Sequence, residues 1–84
     1  MTTPTFTKWE VREWLVARVA EILRRSPEDV PAGAAFSELG LSSLQAVELA
    51  TAMEDWTGRE IPPTVVYDCP TIEDAADYLI RLAS

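Results

Sequence analysis

The sequence predicts an all-α protein, a small four-helix bundle of three longer helices and one short helix. Two observations favour this class: apolar residues recur at helical spacing in three segments, and a capping pattern precedes each of them. With 84 residues the chain has room for one domain with a small core. We place this domain at residues 7–84, after a flexible leader at residues 1–6 that is rich in threonine and contains Pro4.

The first helix is predicted from Thr7 to about Arg24. Thr7 and Glu10 have the spacing of a capping box, and arginines at the other end offset the helix dipole. Trp9 and Trp14 are predicted to be core or core-edge residues, as aromatic side chains on a small amphipathic helix usually are. The predicted apolar face consists of Val11, Leu15, Val19, Ile22 and Leu23.

Residues 26–41 are predicted to be a long loop with one turn in it. Pro27, Pro31 and Gly33 interrupt any regular period. Long loops in compact domains are commonly functional, and this one leads directly into a pair of serines. Three apolar residues are expected to fix the loop to the core: Val30, Phe36 and Leu39.

The second helix is predicted from about Ser43 to Trp56 or Thr57. Ser42 is the expected N-cap, with Gln45 completing a capping box, and Gly58 follows the last turn. The residues predicted to face inward are Val47 and Ala50, with Leu44, Met53 and Trp56. Those left for solvent are Gln45, Glu48, Thr51, Glu54 and Asp55.

The last third of the chain contains the remaining helices. Pro62 and Pro63 form a connection, and the β-branched residues after them would alone suggest a strand, although no partner strand lies nearby. Thr71 and Asp74 give a weaker capping signal for a last helix at about residues 72–82. Its predicted buried stripe is Ile72, Ala75, Ala76, Leu79 and Leu82.

Composition excludes several classes of function. The net charge of −7 divides into +2 for residues 1–27 and −9 for residues 28–84, which argues against binding to nucleic acid and favours partners with basic surfaces. The chain has no histidine and one cysteine, Cys69, so it cannot build a structural zinc site or a serine–histidine pair on its own. No apolar run is long enough to span a membrane, and the lone cysteine fits a reducing cytoplasm.

The serine pair is the candidate site. Gly40 supplies a turn, and Ser42 is predicted to cap the second helix. The hydroxyl of Ser43 then lies beside unpaired N–H groups at the positive end of the helix, where an anion such as phosphate is stabilised. The simpler alternative is that both serines only cap the helix.

Residues 39–44 read Leu-Gly-Leu-Ser-Ser-Leu, which resembles the Gly-x-Asp-Ser-Leu attachment motif of acyl carrier proteins, especially those of polyketide type. The resemblance implies that Ser43 carries 4′-phosphopantetheine, with Gly40, Ser42 and Leu44 completing the motif. Ser42 stands where the family usually has aspartate, so one negative charge is missing beside the attachment point. Residues 67–71 are similar to the family's Tyr-Asp-x-Pro-Thr turn, and the family has a short third helix at residues 64–68.

The resemblance also implies a function. We expect a monomeric, cytoplasmic carrier, not itself an enzyme and without a metal, that holds acyl groups as thioesters for polyketide or fatty-acyl synthesis. The expected partners are a phosphopantetheinyl transferase and ketosynthases, acyltransferases, acyl-activating ligases or thioesterases with basic docking patches. The residues predicted to dock or to border the acyl groove are Gln45, Glu48, Glu54, Asp55, Val65 and Val66. The alternative for the two valines is that they close one end of the core.

Two alternatives stay open from the sequence. A peptidyl carrier would share the fold and the arm, but such carriers more often have a second glycine and a histidine before the serine, and both are absent. A non-covalent helical interaction module would keep only the docking face. The intact Ser43, with Gly40 and Leu44, argues against that module.

Overall fold

The computed structural model describes residues 7–83, and all the regular elements in this range are helical. The helices are α1 (Lys8–Leu23), α2 (Phe36–Leu39), α3 (Ser43–Thr57), α4 (Val65–Asp68) and α5 (Ile72–Ala83), with a 3-10 turn at Pro27–Asp29. The all-α class with three longer helices is therefore confirmed. The one-turn α2 adds a second short helix in the segment where a loop with one turn was predicted. The predicted leader lies outside the described residues.

Helix α1 begins and ends with local backbone devices. The hydroxyl of Thr7 accepts a hydrogen bond from the Glu10 N–H at 3.1 Å, which confirms the predicted cap. At the other end, Arg24 adopts the left-handed conformation, with φ of 58°. The next N–H, of Arg25, donates to the Ala20 carbonyl at 2.8 Å. Together these bonds satisfy groups that a helix terminus otherwise leaves unpaired.

The core lies where α1 packs against α3 and α5. The predicted α1 residues Val11, Leu15 and Val19 are buried, and Val16 and Ala20 join them. Two ion pairs, Lys8–Asp77 at 3.3 Å and Arg12–Glu73 at 3.5 Å, link α1 to α5 at the edge of the core.

The two tryptophans of α1 differ. Trp14 packs at the edge of the core and stacks on Trp56 of α3, with the ring centroids 4.5 Å apart and the planes 9° from parallel. Trp9 is 61% exposed, so its predicted core position is wrong. It lies in the first turn of α1, before Val11, which is the first buried residue of that helix.

The predicted inward face of α3 is only partly correct. Ala50 and Met53 are buried as predicted, but Val47 and Leu44 are 43% and 69% exposed. Each helical residue is rotated by about 100° from the one before, and the buried set occupies positions spaced by three, one and three residues. That set is Ala46, Leu49, Ala50 and Met53. Val47 and Leu44 therefore lie on the solvent side of α3.

The loop before α3 is fixed to the start of α5. The Phe36 N–H donates to the Pro70 carbonyl at 2.8 Å, and the Glu73 N–H donates to the Ala32 carbonyl at 3.2 Å. The three residues predicted to fix the loop are all buried: Val30, Phe36 and Leu39. The approach to the serine pair is therefore held in place by packing and by backbone bonds.

The region that follows α3 is helical, as the resemblance implied. In α4 the closing bond runs from the Cys69 N–H to the Val65 carbonyl at 2.8 Å. The hydroxyl of Thr71 accepts from the Asp74 N–H at 3.1 Å, which confirms the cap of α5. The predicted stripe of α5 is buried at Ile72, Ala75, Ala76 and Leu79, and Leu82 is partly buried.

Candidate functional site

The N-terminus of α3 is closed by a reciprocal capping box. The Ser42 hydroxyl accepts from the Gln45 N–H at 3.1 Å, and the Gln45 side-chain oxygen accepts from the Ser42 N–H at 2.9 Å. A helix start has four N–H groups without helical acceptors, and the box satisfies two of them. Among the described residues, the N–H groups of Ser43 and Leu44 remain without an acceptor. These two donors can bind an anion.

Ser43 is the first residue of α3 and its side chain is exposed. Gly40, which ends α2 with φ of 75°, lets the chain reverse between the two helices. A Cβ at Gly40 would meet no atom within 4 Å, so glycine is favoured there by the backbone conformation and not by lack of space. No acidic residue lies in the first turn of α3. This setting accommodates a phosphate ester on the hydroxyl of Ser43.

A groove of about 520 Å³ opens on the α1 side of this site. The Gln45 amide nitrogen reaches across its base and donates to the Ile22 carbonyl at 3.5 Å, so the end of α1 contacts the start of α3. The groove is lined by Glu21, Ile22, Arg24, Ser42, Leu44, Gln45 and Glu48. Gln45, predicted to face solvent, is therefore half-buried and structural.

A smaller apolar cavity of about 220 Å³ lies between α2 and α4. Its lining residues are Phe36, Ser37, Leu41, Val66, Tyr67 and Pro70. Val66 thus borders a cavity that is also lined by Leu41, the residue directly before Ser42. Val65 is buried in the core and does not line this cavity. Both valines are at most 7% exposed, so Val65 has the core position that the sequence left open as its alternative, while Val66 is buried beside the cavity.

The acidic residues of α3 separate into two groups. Glu48 and Asp55 are exposed and border a groove of about 380 Å³ beside the stacked tryptophans. Glu54 is half-buried, and its carboxylate accepts from the Ile61 N–H at 3.1 Å. Glu54 therefore holds the chain that leaves α3, a structural contact that no local sequence pattern indicated.

The solvent side of α3 also carries two apolar residues that were predicted to face inward. Leu44 and Val47 are exposed and lie next to Glu48 on the same side of the helix. Both fall more than 90° away from Leu49 around the helix, so they are exposed once Leu49 is known to be buried. An apolar patch with an acidic rim is a typical protein-binding surface.

Cys69 is a buried free thiol. Burial raises the pKa of Cys69 above its ordinary value, the carboxylates of Asp68 and Asp74 raise it further, and Arg81 lowers it in part. The thiol therefore stays protonated at neutral pH. Protonated, buried cysteines are poor nucleophiles, which agrees with the predicted inert role.

No group of histidine, cysteine, aspartate or glutamate in residues 7–83 could hold a metal ion. No helix in that part of the chain is long and apolar enough to cross a bilayer.

A small helical bundle that presents a serine at a capped helix start, with spare N–H donors and an acidic face, has the features of a carrier domain. The sequence profile of the phosphopantetheine attachment site family matches residues 13–79. The chain therefore belongs to the phosphopantetheine-binding carrier domains, its function is that of a carrier, and its prosthetic group is 4′-phosphopantetheine.

Relatives by sequence are large polyketide synthases. A phenolphthiocerol synthesis polyketide synthase of type I from Mycobacterium marinum is 47% identical over 58 residues, which cover 69% of this chain and 3% of that protein. Erythronolide synthase EryA3 from Saccharopolyspora erythraea is 38% identical over 74 residues, covering 87% and 2%. The chain thus spans only a few per cent of the length of these relatives.

Solved structures with the same fold include carriers of two kinds. A free-standing peptidyl carrier protein from Acinetobacter baumannii has a TM-score of 0.88 at 31% identity, covering 92% of this chain and 96% of that one. An acyl carrier protein from Anabaena sp. with a variant phosphopantetheinylation-site sequence has a TM-score of 0.81 at 28% identity, covering 100% and 97%. The fold of an acyl or peptidyl carrier is therefore confirmed.

Proposed function

We propose that this chain carries acyl groups for a polyketide-type synthase on a phosphopantetheine arm attached to Ser43. The single observation that supports this most is the exposed Ser43 hydroxyl at the start of α3, beside the unpaired N–H groups of Ser43 and Leu44. The polyketide assignment rests on the sequence relatives. Peptidyl carriage is the second candidate, because a peptidyl carrier has the same fold.

In this proposal Ser43 is an acceptor and not a catalytic nucleophile. Its hydroxyl oxygen would form the new bond to the phosphorus on the pantetheine side of coenzyme A, and its proton would pass to a base of a separate transferase. The P–O bond within the pyrophosphate would break, and the nucleotide would leave with the other phosphate. Among the described residues no base contacts Ser43. The transferase must therefore supply the base that accepts the Ser43 proton. The N–H groups of Ser43 and Leu44 then stabilise the phosphate charge.

When attached, the arm supplies a terminal thiol that holds an acyl group as a thioester. Cys69 does not compete for this role, because it is buried and its raised pKa keeps it protonated. Its free thiol also fits a reducing, cytoplasmic setting. The contribution of the chain is to present the bound acyl group to successive enzymes at high local concentration.

Docking of those enzymes is proposed on the solvent side of α3. Leu44 and Val47 provide apolar contact, and Glu48 and Asp55 provide negative charge. The carrier is proposed to be a monomer. Its proposed partners are a phosphopantetheinyl transferase and the ketosynthases, acyltransferases, acyl-activating ligases or thioesterases of a synthase. Each of these enzymes would present a basic patch to α3. The negative charge of this face mainly raises the rate at which the carrier and its partner enzymes associate. Nucleic acid and membranes are not proposed as partners.

The experiment that tests the function is intact-mass measurement after incubation with coenzyme A and a broad-specificity phosphopantetheinyl transferase. We expect a gain of one phosphopantetheinyl unit per chain, and none when coenzyme A is omitted. A folded protein that gains no mass would overturn the carrier proposal for this chain. It would instead favour a non-covalent interaction module.

The docking proposal predicts the effect of charge reversal at Glu48. Glu48→Lys should lower the kcat/KM of the transferase for this chain about fivefold at low salt, since it places a positive charge opposite a basic patch. Glu13→Lys is the matched control, because Glu13 is an exposed acid in the middle of α1. Equal rates for both variants, with unchanged melting temperatures, would contradict docking at Glu48.

A further inference from the structure

Arg24 has an unusual backbone conformation for its residue type. Three helices of the described chain end in the left-handed region, and the other two use glycine there, Gly40 and Gly58. Arg24 is the one residue other than glycine with positive φ among residues 7–83. A side chain with a Cβ is strained in this region, so glycine would suit the position better. The arginine side chain is therefore present where the backbone disfavours it.

The Arg24 side chain borders the attachment site. It lines the 520 Å³ groove together with Ser42, the residue directly before Ser43. The bond from Gln45 to the Ile22 carbonyl fixes this end of α1 against the start of α3. Ser43 does not itself line the groove, but the residues on either side of it, Ser42 and Leu44, do. A cation therefore lines the groove that the two neighbours of Ser43 border.

The charge on Arg24 is not neutralised by a resolved contact. Among the described residues it takes part in no ion pair or side-chain hydrogen bond. Of the two acids that line the same groove, Glu21 is engaged by Arg18 at 3.1 Å. Glu48 is the remaining acid of the groove, and among the described residues no ion pair joins it to Arg24.

We infer that Arg24 binds the phosphodiester that links the arm to Ser43 and holds the first part of the arm on the α1 side of α3. This inference rests on the proposed attachment at Ser43. A guanidinium carries a positive charge and has a planar donor geometry that matches phosphate oxygens. It would act with the N–H groups of Ser43 and Leu44. It would also offset the acidic body of the chain, which otherwise repels a phosphate.

The test compares each protein without the phosphopantetheine arm (unloaded) and with the arm attached to Ser43 (loaded). The proteins are the parent, Arg24→Gln and Arg25→Gln. Arg25 is the matched control because it is adjacent, equally charged and exposed but does not line the groove. Loading should raise the melting temperature of the parent and of Arg25→Gln about 2–4 °C more than that of Arg24→Gln. The ³¹P resonance of the phosphodiester should move in Arg24→Gln alone. Both differences should disappear at 1 M salt, where the Debye length is about 3 Å.

A second variant separates phosphate binding from a structural role. Arg24→Gly relieves the backbone strain, so the unloaded protein should be at least as stable as the parent, yet it should lose the extra stabilisation on loading. Glu48→Gln should increase that stabilisation, because it removes a negative charge that lines the same groove and repels the phosphate. If the parent loads but both Arg24 variants retain its ³¹P shift and its gain in melting temperature, the inference is wrong and the attachment stands. If the parent gains no mass, both fall together.

Discussion

Ser43→Ala is expected to abolish the mass gain completely, whereas Ser42→Ala leaves it measurable. Of the two serines, Ser43 presents a hydroxyl that makes no capping bond, whereas the Ser42 hydroxyl accepts from the Gln45 N–H. Loss of an N-cap costs about 1 kcal/mol, so Ser42→Ala should melt several degrees below the parent. Ser43→Ala should melt close to it. Intact mass and thermal unfolding of the three proteins check these expectations.

This pair of variants distinguishes attachment from capping. If Ser43 were only a helix residue, Ser42→Ala and Ser43→Ala would gain the same mass, or neither variant would gain any. A full mass gain in Ser43→Ala would place the arm on another hydroxyl and contradict the proposed site. Because Ser43→Ala is the variant expected to melt close to the parent, a general loss of folding cannot account for its failure to gain mass.

Leu49→Ala is expected to cause the largest loss of stability among single changes in α3. Leu49 is fully buried where α3 meets the core. Removing a buried leucine side chain costs about 2–5 kcal/mol, through lost burial and the cavity left behind. A domain of this size is marginally stable, so the melting temperature should fall by about 10–25 °C. Circular dichroism during heating measures this directly.

Val47→Ala is the matched control for Leu49. It lies two residues away on the same helix but is 43% exposed, so its loss should cost less than about 1 kcal/mol. We also expect Val47→Ala to weaken transfer to partner enzymes, which Leu49→Ala does not do at temperatures where it is folded. Equal losses of stability would show that α3 packs in another register.

The parts of the fold that depend on neighbouring residues were predictable. The caps at Thr7, Ser42 and Thr71 need only a hydroxyl and a group three residues away, and all three are present. The buried stripe of α5 was also predicted, since that helix is apolar on one side only. Such features depend on local chemistry, so they can be predicted from the sequence.

Features that depend on tertiary contact were not predictable. Helix α3 has apolar residues on both sides, so period alone could not tell the buried Leu49 from the exposed Leu44 and Val47. The bond from Glu54 to the Ile61 N–H spans a turn whose path was unknown. The groove beside Arg24 exists only because α1 ends against the start of α3. In the candidate site the serine was predicted, and its surroundings required the fold.

The stacking of Trp14 on Trp56 gives the protein its own optical signal. Two parallel indoles with centroids 4.5 Å apart couple electronically, and each belongs to a different helix. Trp9, which is largely exposed, contributes emission of a solvated indole. Near-ultraviolet dichroism of the stacked pair therefore reports the spacing of α1 and α3 without any label, while Trp9 provides an internal reference. If α1 and α3 separate when the carrier binds a partner enzyme, the dichroism of the stacked pair would change as binding proceeds.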